Sequence, residues 1–147
     1  MSRAFVKESE DAPELPAARP ESGHPNYVTQ RGLEALEERL RAAEASSNER
    51  DTAYLRRRIE NAIVVDLTRQ PRDVVAFGAT VTVQGADAAR RDYTIVGEDQ
   101  ADPTHGAISW ISPLAKALIG ARVGDRVLWR RPAGDLPLTI VAIGYAA

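Results

Sequence analysis

Between Tyr27 and Ala62 the apolar positions follow a helical beat. Leu33, Leu36, Leu40 and Ala43 are spaced three, four and three residues apart, with Glu34, Glu37, Glu38, Arg39 and Arg41 around them. This is a narrow coiled-coil seam, not the broad face of a globular helix. Thr29 is placed to cap the helix, and Val28 and Leu33 stand at the two positions of a hydrophobic staple. The pattern breaks at Ala45-Ser46-Ser47-Asn48. A second cap follows, either Asn48 with Asp51 or Ser46 with Glu49, and Thr52, Leu55, Ile59 and Ala62 then repeat at the same spacing. Two matching seams joined by a short turn predict an antiparallel helical hairpin of about 14–17 residues per helix, roughly 20–25 Å long.

After Ile63-Val64-Val65 and Pro71 the period changes to that of strands. The predicted strands are 74–77, 80–84, 93–96, 108–111, 126–129 and 138–143, with glycine turns between them. One helix, 113–119, interrupts them. Ser112 can cap it, Pro113 suits its first position, and Leu114, Ala117 and Leu118 form one apolar face. Gly120 stops it, and Lys116 is left on the exposed side. Strands with one helix on one face predict an α+β domain with a mainly antiparallel sheet. A strand that ends in a rigidly started helix makes a protruding corner suited to docking.

Composition refines this picture in a few places. Residues 1–26 hold four of the nine prolines and little apolar periodicity, so they read as a disordered tail. A hairpin over 27–66 and a strand-rich domain over 67–147 complete the expected organisation. The three segments carry three basic and five acidic, seven and eight, and nine and eight charged residues in turn. None has the basic excess of a protein held to nucleic acid chiefly through phosphates. The chain has no cysteine and two histidines, so no disulfide and no cofactor or metal centre is expected. No apolar run approaches the roughly 20 residues that span a membrane, which makes a soluble cytoplasmic protein the default.

Ser112-Pro113-Leu114-Ala115-Lys116-Ala117-Leu118-Ile119-Gly120 resembles the Ser-Pro-x-Ala-Arg-x-Leu-x-Gly stretch in the C-terminal domain of the Gre transcription elongation factors. The resemblance extends to Tyr27–Leu33, Val64-Val65-Asp66, Phe77–Val83, Tyr93–Asp102 and Val123-Gly124-Asp125, and the start Met1–Glu8 also resembles some members, with Phe5 and Val6 as a short anchor. It implies an FKBP-like domain that docks on RNA polymerase at the secondary channel through Ser112, Pro113, Ala115 and Lys116. Nucleic acid would be met only indirectly, within the transcription complex.

The hairpin departs from the family. Cleavage-stimulating members carry two acids at the tip of a longer coiled coil, in a Gly-Asp-x-x-Glu-Asn-x-x-Tyr pattern. Anchored on Tyr54, that pattern places the acids on Ser47 and Arg50. Each helix is also about 16 residues shorter, roughly 24 Å of reach. The tip here is Ser47, Asn48, Glu49, Arg50 and Asp51, and neither serine nor arginine can hold a Mg²⁺ ion. The resemblance therefore implies a polymerase-binding regulator that is not itself an enzyme and does not stimulate transcript cleavage. The alternatives are a regulator of nucleoside diphosphate kinase, like the short-armed relatives so named, or a cleavage factor using Glu49 and Asp51. The fold alone would also admit a peptidyl-prolyl isomerase, but Phe77, Tyr93, Trp110, Trp129 and Tyr145 fall mostly at core-like strand positions. Arg56-Arg57-Arg58 is expected on the solvated face of the second helix, Trp110 in the core or its rim, and His105 in a solvated turn.

Overall fold

Two helices meet above a small parallel ribbon, and the chain then builds a five-stranded sheet with one short helix on its inner face. The computed structural model describes residues 21–146. The expected anchor at Phe5 and Val6 and most of the expected tail lie outside the described residues. Within 21–26, Asn26 is buried and already part of strand β1, Asn26–Val28.

Helix α1 spans Gln30–Ala45. Thr29 caps it as expected, its hydroxyl accepting from the Gly32 amide at 2.9 Å. Helix α2 spans Glu49–Glu60 and is capped by Asn48, not Ser46. Asn48 accepts from the Asp51 amide at 3.1 Å. The expected seam residues other than Thr52 share one cluster: Leu36, Ala43 and Leu55 are buried, and Leu33, Leu40, Ile59 and Ala62 pack around them. Tyr54 joins that cluster from beside the seam. Strand β2, Ala62–Val64, then pairs in parallel with β1, a ribbon the sequence pattern does not reveal.

The sheet consists of β3 (Ala79–Gln84), β4 (Arg90–Val96), β5 (Ala107–Ser109), β6 (Arg126–Trp129) and β7 (Leu136–Tyr145), in the order β5-β4-β3-β7-β6. All its pairings are antiparallel except β4 with β5. Helix α3, Pro113–Leu118, lies on the inner face. Its Leu114, Ala115 and Leu118 join Val75, Val81, Ile95, Ile108, Leu138 and Ile140 in the main core. The result is a mixed α+β fold with a mostly antiparallel sheet, as the sequence pattern predicts.

Two strand expectations need correction. Val74–Phe77 is not a strand: the Val75 amide donates to Ala121 and its carbonyl accepts from Gly120, so it is held by the loop after α3. The run Ile108–Ile111 leaves the sheet after Ser109, because the Ser112 amide turns back to the Ser109 carbonyl at 2.9 Å. Trp110 is half-buried at the rim, edge-on to Tyr27 at 5.1 Å.

Candidate functional site

Three places carry the exposed or charged chemistry of the molecule. The first is the corner at α3. Ser112 has extended backbone, and its hydroxyl accepts from the Ala115 amide at 3.2 Å, capping the helix. Pro113 stands at the first helical position, where its missing N–H leaves no bond unmade. Leu114, Ala115 and Leu118 turn inward, which leaves Pro113 and Lys116 outside. Ala115 is 0% exposed, so it is no contact residue; its small side chain lets the helix lie close on the sheet. The helix ends at Leu118 with Ile119 extended, and Gly120 takes φ +93° one residue beyond the cap. Ile119 and Val123 are exposed beside it and extend the corner with apolar surface.

The second place is the tip of the helix pair. The Asn48 amide donates to the Ala43 carbonyl and the Ser47 amide to the Glu44 carbonyl, a Schellman ending for α1. That ending puts Ser47 at φ +59°, where glycine is usual. Asn48 also donates to the Asp51 carboxylate at 2.9 Å, so Asp51 is engaged in the cap. Glu49 and Asp51 sit in the first turn of α2, where the helix dipole favours acids. Among the described residues no group of His, Cys, Asp and Glu is placed to hold a metal ion.

The third place is the junction of the helix pair with the sheet, and here the sequence reading fails. Arg56 and Arg57 are exposed as expected, pairing with Glu44 at 2.7 Å and Glu21 at 3.2 Å. Arg58 is not solvated; it is 3% exposed. Its Nε donates to Asp99 at 2.7 Å and its Nη2 to the Asn26 side chain at 2.7 Å. Asn26 in turn donates to the Arg58 carbonyl, and the Tyr54 hydroxyl donates to the other oxygen of Asp99. Burial disfavours the charge on Arg58, but the bond to Asp99 and the nearby charges of Asp99 and Glu98 outweigh it, raising its pKa above the ordinary value. Asp99 lies in a 3-10 turn after β4, so this network fastens α2 to the sheet. Close backbone approach completes the joint: a Cβ on Gly97 would lie 2.4 Å from the Tyr27 carbonyl. The signal for Arg58 was present in spacing, since it lies three and four residues from Leu55 and Tyr54 on the inward side of α2, but its partner is 41 residues away.

His105 is solvated and bonded to Asp102 at 2.7 Å. Hydrogen bonds from Thr104 and His105 hold the Asp102 carboxyl below the usual range. The geometry offers a capped exposed corner, a short helical pair and a hydrogen-bonded joint between them.

The GreA/GreB transcription elongation factor C-terminal family matches residues 70–145, more than half of the chain. The transcription elongation factor GreA of Geobacillus kaustophilus is 43% identical over 86 residues, covering 58% of this chain and 54% of that protein. GreA of Desulfovibrio desulfuricans is 36% identical over 115 residues, covering 78% of this chain and 68% of that one. A solved GreA/GreB factor from Nitrosomonas europaea superposes with a TM-score of 0.46 at 27% identity, over 82% of this chain and 99% of that chain. The chain thus spans between about half and two thirds of the length of the curated relatives it matches. With both the sheet and the α3 corner inside the matched region, the chain belongs to the GreA/GreB family of transcription elongation factors.

Proposed function

We propose that the chain is a transcription elongation factor that docks on RNA polymerase at the secondary channel through the α3 corner and does not stimulate transcript cleavage. The observation that carries the docking is the corner itself. Pro113 and Lys116 are exposed on a capped helix start beside exposed Ile119. Ser112 and Ala115 act there by fixing the helix.

The tip supports the absence of cleavage. Its acids are Glu49 and Asp51, of which Asp51 is tied into the cap, and Ser47 and Arg50 occupy the positions where cleavage-stimulating relatives carry acids. We read residues 27–66 as a shortened coiled-coil arm and 67–147 as an FKBP-like domain. The separation of the buried apolar residues into two clusters supports that division.

The test is competition. Increasing amounts of the protein are added to a cleavage reaction driven by a long-armed Gre factor on a stalled elongation complex. Cleavage falls as this protein occupies the site, and excess long-armed factor restores it. Binding to polymerase with cleavage untouched at saturation would separate the two sites and end the reading.

A further inference from the structure

The inner face of the sheet is longer than the helix that covers it. Helix α3 has six residues, roughly 9 Å, whereas β7 has ten, roughly 33 Å. The uncovered end of that face forms a cleft of about 370 Å³, lined by Val83, Arg91, Tyr93, Trp129, Arg131 and Leu136 among others.

Arg91 stands where the strand period calls for an apolar residue. Arg91 is opposite Val83 and two residues before Tyr93, so it continues the face of buried Val83 and Ile95. Its neighbours Arg90 and Asp92 bond to Gln84 and Thr82 on the other face. Arg131 lies just beyond the end of β6 and lines the cleft from there. Its guanidinium lies 5.2 Å over the Trp129 ring, and its Nε donates to the Gly134 carbonyl at 3.1 Å. The Tyr93 and Trp129 rings meet edge to face at 6.5 Å. No acidic residue lines the cleft.

Two cations, two aromatic rings and an apolar floor, with no anion, fit a planar aromatic ligand that carries negative charge. The volume is at the low end of the roughly 300–1,000 Å³ of small-ligand pockets, the size of a single nucleotide. We propose that this cleft binds one unpaired nucleotide, its base against Tyr93 and Trp129 and its phosphate on Arg91 and Arg131. Guanidinium and aromatic groups of this kind are what hold unpaired bases in single-strand binding proteins. None of the residues that line the cleft belongs to the docking corner. Strand β4 runs from Arg91 at the cleft to Val96, which pairs with Ser109 at the approach to α3. The two sites share no residue, so either assignment can fail without the other.

The test follows the amide and indole resonances of the full 147-residue chain by NMR during titration with AMP, adenosine or a ten-residue single-stranded oligoadenylate at low salt. AMP shifts the Trp129 indole and the Tyr93 and Arg91 amides, and adenosine binds at least about tenfold more weakly. A decamer that binds more tightly than AMP identifies a strand as the source, and equal affinity identifies a free nucleotide; both support the site. For the strand, one neutralised phosphate gives a log–log salt slope of about −0.7. Arg91→Ala, a change at an exposed side chain, weakens AMP at least about tenfold with the remaining spectrum unchanged; Arg131→Ala serves as the second variant. The proposal is overturned if Trp129 is unmoved at millimolar AMP and decamer, or if binding is undiminished in Arg91→Ala. A response to a prolyl peptide without one to nucleotides overturns it too.

Discussion

Two residues are held at positions that their chemistry does not favour. Ser47 sits at φ +59° in the turn between α1 and α2, because the Schellman ending requires a left-handed residue there. A non-glycine residue in that region costs about 1 kcal/mol or more. Ser47→Gly should therefore stabilise the protein by about 1 kcal/mol, seen as a higher urea midpoint with an unchanged slope. Arg58 is the opposite case, a buried charge satisfied on several sides. Asp99→Ala would leave that guanidinium without its principal partner and should cost about 3–5 kcal/mol. Arg58→Met together with Asp99→Leu should be markedly less costly than either single loss, since no unpaired charge remains. A double-mutant cycle by urea unfolding checks this, and additive losses would refute the coupling.

Among the elements, α3 carries the proposed docking corner. Six residues form too short a helix to persist alone, so α3 depends on the Ser112 cap and on Leu114, Ala115 and Leu118 in the core. Ser112→Ala should cost about 1 kcal/mol and loosen the corner. The exposed residues are separable from this support. Pro113→Ala with Lys116→Glu should leave the urea midpoint within about 1 kcal/mol of the parent while weakening polymerase binding at least tenfold, roughly 1.4 kcal/mol. A folded double variant that binds as tightly as the parent would remove the corner from the proposed interface.

At the scale of the molecule, surface carboxylates tie distant segments together. Asp73 meets Arg122 at 2.6 Å, joining the stretch before β3 to the loop after α3. The hydrogen bond from Arg122 holds Asp73 below its ordinary range, and hydrogen bonds from the Thr68 hydroxyl and amide do the same for Asp66. A carboxyl depressed in the folded state contributes stability that is fully present above its unfolded pKa of about 3.9 and lost as pH falls through its folded value. The urea midpoint should thus be flat from pH 7 to about pH 5 and decline below about pH 4. Arg122→Gln should flatten part of that decline. Because these groups are exposed, each contribution is small and should shrink further in high salt.

Much of this organisation was legible in the chain alone, because it rests on interactions between near neighbours. The seams Leu33–Ala43 and Thr52–Ala62, the caps Thr29 and Ser112, and most of the strands follow from spacing of three, four or two residues and from which side chains can reach a nearby amide, whereas the choice of Asn48 over Ser46 as the second cap came from the structure. The same locality made the α3 corner recognisable as an exposed turn. What only the tertiary structure decided are the features whose partners lie tens of residues away. The β1–β2 ribbon pairs residues 36 positions apart, and Val75 spends its backbone bonds on Gly120 and Ala121 instead of a strand. Arg58 reads as one of three solvated arginines until Asp99 and Asn26 close on it. Arg91 and Arg131, 40 positions apart, line one cleft only in the folded chain. Local pattern sets which face of an element is apolar, but which charge ends up beneath or beyond that face depends on how the elements meet.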